Sequence, residues 1–185
     1  IVWKGPAHED DTQAQIEVVK NMITLRVDAI CLAPNHSKSL VEVVREANDQ
    51  KIPVVVFDSG IGKGAEIVSY VATDNLQRAR LAAKRLAEAV GEKGSVIMLR
   101  YQAGSESTEQ REAGFLEEIA KHPEIKVLSS DQYGGGSTKS AMDKSLQLLL
   151  RYQDKVNGVF AVCESNCNGM FEALQQSGLS GKVKF

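Results

Sequence analysis

The sequence predicts an α/β fold built on largely parallel sheets. Short β-branched runs alternate with longer segments of helical period along all 185 residues. Val54-Val55-Val56-Phe57 has no polar alternation, as expected of a parallel strand covered on both faces. Ile67–Ala72 follows that run with no helix between them, so the chain is expected to leave one sheet there and begin another.

Ile1-Val2-Trp3 reads as the end of a strand, followed by an acidic loop around Pro6. Thr12–Leu25 places Ile16, Val19 and Ile23 on one helical face. Asp28–Ala33 is an apolar run with β-branched character, stopped by Pro34. Ser37–Gln50 repeats the helical stripe with Leu40, Val43, Val44 and Ala47. Strand Pro53–Phe57 and strand Ile67–Ala72 flank a glycine-rich turn, Gly60–Gly64. A long helix is expected over Asn75–Val90, ended by Gly91 and Gly94. The alternation then restarts: strand Ser95–Arg100, helix Ser107–Lys121, strand Ile125–Ser129, helix Ser137–Tyr152, strand Gly158–Val162 and helix Asn166–Ser177. Lys182–Phe185 reads as the start of one more strand. Two lobes are expected, 1–73 and 74–185, with the boundary at Thr73-Asp74-Asn75. A start without Met and ends that read as strands suggest an internal piece of a longer chain.

The net charge is −2, from 22 Lys+Arg against 24 Asp+Glu. A chain-wide basic footprint for nucleic acid or anionic lipid is therefore absent. No apolar run approaches the ~20 residues that span a bilayer, so membrane insertion of this segment is not expected. Three cysteines, Cys31, Cys163 and Cys167, are too few for a disulfide scaffold and lack zinc spacing. Cys163 and Cys167 can pair only if the strand-to-helix turn brings them into disulfide geometry.

In open α/β sheets ligands sit beyond the carboxyl ends of strands. Here those positions hold Ala33-Pro34-Asn35, Phe57-Asp58-Ser59, Thr73-Asp74-Asn75, Tyr101-Gln102, Asp131-Gln132-Tyr133 and Cys163-Glu164-Ser165. The groups are neutral polar, aromatic and acidic, which suits a polyhydroxy, uncharged ligand. Asp58 is the sharpest candidate, because a carboxylate accepts two hydroxyl hydrogen bonds at once. Arg111, expected in the first turn of its helix, either donates its planar fork to ligand oxygens or pairs with Glu109 or Glu112. Ser107 and Gln110 read as a capping box. Gly60–Gly64 with Lys63 does not have phosphate-loop spacing, and Gly134–Gly136 reads as a flexible loop. His8, Glu9, Asp10 and Asp11 are consecutive and read as solvated loop rather than metal ligands. No histidine is spaced to activate a Ser or Cys. No enzyme activity, cofactor or metal is expected.

The strand ends together resemble the type I periplasmic binding proteins for sugars, the ribose-binding branch. The resemblance is carried by Asp28-Ala29-Ile30 leading to Ala33-Pro34, Ile52-Pro53-Val54-Val55 with Phe57-Asp58, and Tyr70-Val71-Ala72-Thr73-Asp74-Asn75. Arg111-Glu112-Ala113-Gly114-Phe115 and Gly158-Val159-Phe160-Ala161 continue it in order. It implies a periplasmic-binding-protein-like I fold: two Rossmann-like three-layer lobes, with sugar bound in the cleft by hinge closure. It also implies that Thr73-Asp74-Asn75 is the first of three crossings, and that the remaining strands and crossings lie outside these residues. By the same resemblance Asp58 is the ligand carboxylate, Thr73 a hydroxyl at the crossing and Arg111 the donor to sugar hydroxyls. Several ligand positions depart from the ribose pattern. Ala33 replaces an asparagine, Ser59 an arginine, Gln102 an apolar residue and Cys163 an asparagine, with Glu164 beside it.

The expected function is the solute-binding protein of a sugar ABC importer, binding a monosaccharide or polyol and docking on a permease. The expected location is periplasmic or extracytoplasmic, the signal sequence lying outside this chain. The alternative is the sugar-effector domain of a LacI-type regulator, which shares the fold. A third possibility is the sugar-sensing ectodomain of a receptor.

Overall fold

The computed structural model describes residues 1–185. The chain divides into two compact units: Ile1–Thr73 with Ala103–Ser107, and Asp74–Gln102 with Thr108–Phe185.

The first unit holds α1 (Thr12–Thr24), β1 (Ile30–Leu32), α2 (Val41–Asp49), β2 (Val54–Phe57) and β3 (Ser69–Val71). The three strands form one parallel sheet in the order β1-β2-β3. Alternate side chains of β1 and β2 (Ile30, Leu32, Val54, Val56) meet Val19 of α1 and Val43, Val44 and Ala47 of α2 in one apolar core. The opposite sheet face is more open than the run of valines predicts. Cys31 is exposed there, and Val55 and Phe57 are half-buried. β3 pairs with β2 although no helix joins them; residues 58–68 make the connection.

The second unit holds α3 (Asn75–Ala89), β4 (Gly94–Arg100), α4 (Glu106–Ile119), β5 (Ile125–Tyr133), α5 (Thr138–Tyr152), β6 (Gly158–Ala161) and α6 (Glu164–Gln176). The first two residues of α4 pack with the first unit. The sheet order is β5-β4-β6, all parallel. This sheet is covered on both faces. Ile97, Leu99, Val159 and Ala161 pack against α5 and α6, while Val96 and Met98 pack against α3 and α4. Strict alternation on β4 thus produces three layers, each fully buried apolar side chain contributing ~1.5–3 kcal/mol.

Several local expectations change. Ile1-Val2-Trp3 forms no strand, and all three side chains are exposed. Lys182–Phe185 reduces to a single parallel bridge from Lys184 to Gly158. β5 runs on to Tyr133, because irregular register opposite Val96–Leu99 lets Gln132 and Tyr133 pair with Leu99 and Arg100. Ser107 does not cap α4. It lies inside the helix, and its N–H donates to Ser59 Oγ at 3.1 Å. Because α4 opens at Glu106, Arg111 stands in its second turn rather than its first.

α5 and α6 approach so closely that Gly169 leaves no room for a side chain. A methyl group there would lie 2.5 Å from Met142 N and 2.6 Å from Thr138 O. Gly169→Ala is expected to destabilise the second unit by ~1–3 kcal/mol. Urea unfolding checks this: the midpoint falls with an unchanged slope, and an unmoved midpoint would show that the helices separate without penalty.

Candidate functional site

In the first unit the candidate residues gather beyond the carboxyl ends of β2 and β3. Asp58 directly follows β2, is exposed, and has φ +64, a left-handed backbone that asparagine and aspartate tolerate better than most residues. Its N–H donates to Val71 O at 3.0 Å, which ties the turn to the end of β3. Ser59, next to it, is buried and accepts from Ser107 N–H. Thr73 is exposed at the close of the unit. Two residues that the sequence did not mark as site candidates complete this corner. Glu106 Oε2 accepts from Gly60 N–H at 3.0 Å and from Tyr70 O–H at 3.3 Å. Burial first, and then the charge and hydrogen bond of Glu106, push the Tyr70 phenol up to about 12. A raised folded value favours the protonated phenol. The resulting stabilisation is full below the ordinary tyrosine pKa and is lost as pH rises through about 12.

In the second unit Arg111 is half-buried and held from two sides. Its Nε donates to Asn75 Oδ1 at 2.8 Å and its Nη1 to Val162 O at 2.9 Å. Asn75, the first residue of α3, is 1% exposed, and its Nδ2 makes no hydrogen bond. Neither acceptor on Arg111 is charged. Glu112, the carboxylate beside it in sequence, is instead paired with Arg100 (2.7 Å from Nε). Burial pushes the Glu112 carboxyl up, against the opposing pull of the Arg100 guanidinium. Arg100 in turn lies 4.6 Å above the Tyr133 ring, a cation–π contact at the carboxyl edge of β4 and β5.

Gln102 is half-buried just past β4. Cys163 is the residue before α6, in extended conformation, and its thiol donates to Asn166 Oδ1 at 3.1 Å. Glu164 opens α6 and is exposed. Both Cys163 and Cys167 are free thiols. Cys167 donates to Ala161 O, and burial pushes its thiol pKa up, so the neutral form is favoured.

The structure brings Asp58 and Ser59 together on one turn, and places Arg111 against Val162 O, one residue before Cys163. The sequence reading missed Asn75 as the partner of Arg111. These residues lie 36 apart, beyond any periodic signal, although Asn75 does stand at a strand-to-helix position.

A family model described as periplasmic binding protein domain matches residues 1–185. The chain belongs to this family. Among curated periplasmic binding proteins, the ribose import binding protein RbsB of Salmonella typhimurium is 29% identical over 170 residues. The match covers 92% of this chain and 56% of that protein. The D-ribose/D-allose-binding protein of Pseudomonas aeruginosa is 32% identical over 193 residues, covering 100% of this chain and 58% of its own length. The chain thus spans little more than half the length of the curated relatives it matches. A solute binding protein of Agrobacterium vitis, solved with bound D-fucose, superposes with a TM-score of 0.93 at 32% identity. That match covers 99% of this chain and 63% of the other. Parallel sheets with crossover helices are what this periplasmic-binding-protein-like I fold requires. No helix is long and apolar enough to cross a membrane.

Proposed function

We propose that this chain is the ligand-binding part of a solute-binding protein for a sugar ABC importer, located outside the cytoplasm and delivering a monosaccharide or polyol to a permease. The observation that carries the reading is the setting of Arg111. A half-buried cation is held by two neutral acceptors, and the buried Nδ2 of its partner Asn75 is without a hydrogen bond. A buried donor left in this way needs an acceptor, and sugar hydroxyl and ring oxygens supply one without adding charge. Asp58, exposed on its turn, supplies the complementary acceptor for hydroxyl donors. The names of the relatives, which bind ribose, allose and fucose, support the same ligand class. Thr73, Ser59, Gln102, Cys163 and Glu164 are proposed as further contacts. They differ chemically from one another, so they would set which sugar is preferred. Residues 1–73 and 74–185 are read as parts of the two lobes of the complete protein. Hinge closure around the sugar is the mechanism, driven by the higher affinity of the closed state.

A panel of aldoses, ketoses and polyols in a thermal-shift assay on the full-length protein tests this. A sugar present at 100 times its Kd adds about 2.7 kcal/mol to the native state, and at least one member is expected to raise Tm by several degrees. A panel that leaves Tm unmoved throughout sinks the reading.

A further inference from the structure

Residues Ala103–Ser107 follow β4 and lead into α4, yet they pack with the first unit. They are fastened there by main-chain and side-chain bonds. Gly104 O accepts from Ser37 N–H at 2.8 Å, and Ser107 N–H donates to buried Ser59 Oγ. Gly104, at φ +87, lies against the His36 ring so closely that an added Cβ would force the ring to move. Glu106 completes the attachment through Gly60 and Tyr70.

Those last two bonds flank Asp58. Gly60 is two residues after it. Tyr70 is the residue before Val71, whose carbonyl holds the Asp58 N–H. One carboxylate oxygen of Glu106 therefore ties together both chain segments that fix the Asp58 turn. The turn needs such support. Asp58 has φ +64, which a non-glycine residue keeps only when its surroundings hold it there. We propose that Glu106 is a positioning residue for Asp58, locking the turn through Gly60 N–H and Tyr70 O–H so that the Asp58 carboxylate is pre-set for sugar hydroxyls. The proposal rests on the sugar-binding reading. A pre-set acceptor loses less freedom on binding, so the lock raises affinity without touching the ligand.

The test uses the full-length protein, the tightest-binding sugar of the panel, and calorimetry. Glu106→Ala is expected to weaken binding about tenfold, the loss of bonds to a charged acceptor. Glu106→Gln retains a carbonyl that accepts from both donors and is expected to stay near the wild-type affinity. Tyr70→Phe removes one of the two bonds and is expected to weaken binding by about threefold. Tyrosinate absorbance supplies a readout that needs no sugar. The Tyr70 titration, identified by its absence in Tyr70→Phe, is centred at about 12. It is expected to fall part-way toward ordinary tyrosine in both Glu106 variants, because the negative charge is gone.

Wild-type protein that binds no sugar overturns the reading and the proposal together. Wild-type protein that binds, alongside Glu106→Ala binding equally well, overturns the proposal alone. Equal losses in Glu106→Ala and Glu106→Gln also overturn it, since the acceptor would then not be what matters. Should Glu106→Ala fail to fold, Tyr70→Phe decides: unchanged affinity counts against the lock.

Discussion

Phe115→Ala is expected to remove ~3–5 kcal/mol from the stability of the second unit. Phe115 is fully buried on α4 and stacks on Phe160 of β6, ring centroids 4.3 Å apart and planes within 5°. Truncation deletes one of the largest buried side chains of the unit and leaves a cavity within the apolar cluster that also holds Leu86, Met98 and Ile119. It also removes an aromatic pair worth ~0.5–1.5 kcal/mol beyond its buried area. Native domains hold only about 5–15 kcal/mol in total, so the loss is a large fraction. Thermal unfolding is expected to shift down by about 4–8 °C per kcal/mol lost. Phe115→Leu, which keeps most of the volume, should recover much of it. The effect reaches the candidate site, because Phe115 stands one turn after Arg111. The stack seats α4 on β6, and Arg111 Nη1 reaches Val162 O just beyond that strand. A stability within ~1 kcal/mol of wild type would mean that the stack does not seat the helix.

Helices and central strands were legible because their signals are local. Val43, Val44 and Ala47 recur at helical spacing, and all three are buried. The valines of β2 and the apolar run of β4 read as strands, and both pair. Boundaries failed where side chains or neighbours decide them. The sequence starts the second helix at Ser37, but regular helix begins at Val41, because His36 Nδ1 accepts from the N–H groups of Lys38 and Ser39 and holds a turn there. Ile1-Val2-Trp3 has strand-forming residues, yet a strand exists only where a neighbour supplies its hydrogen bonds. The rule of strand ends points to Asp58 and Cys163, since topology alone sets those positions. It does not reach Glu106 or Tyr70. Their bond spans 36 residues and runs through a segment that switches units for five residues, which no periodicity announces. The one available signal was an acidic residue at a helix start, and that is equally well explained by the helix dipole.

Replacing Asp58 by alanine or glycine, which bring no side-chain acceptor, is expected to abolish sugar binding at accessible concentrations. A carboxylate accepting from two hydroxyls contributes two charge-assisted hydrogen bonds of ~1.5–3 kcal/mol each. Their loss weakens Kd by about two to four orders of magnitude. Asp58→Ala alone mixes two effects, because alanine is strained at φ +64. That strain moves the turn for reasons unrelated to the ligand. Asp58→Gly separates them: glycine takes that backbone without strain but brings no acceptor. Asp58→Asn keeps the backbone tolerance and one acceptor oxygen, and exchanges the other for a donor. If the carboxylate is the contact, Gly and Ala lose binding alike and Asn retains a small part of it. If the turn matters and the carboxylate does not, Gly binds like wild type while Ala fails. Calorimetric titration of the three variants, with thermal stability recorded for each, decides between these outcomes. Sugar affinity unchanged in Asp58→Gly would remove Asp58 from the proposed ligand contacts.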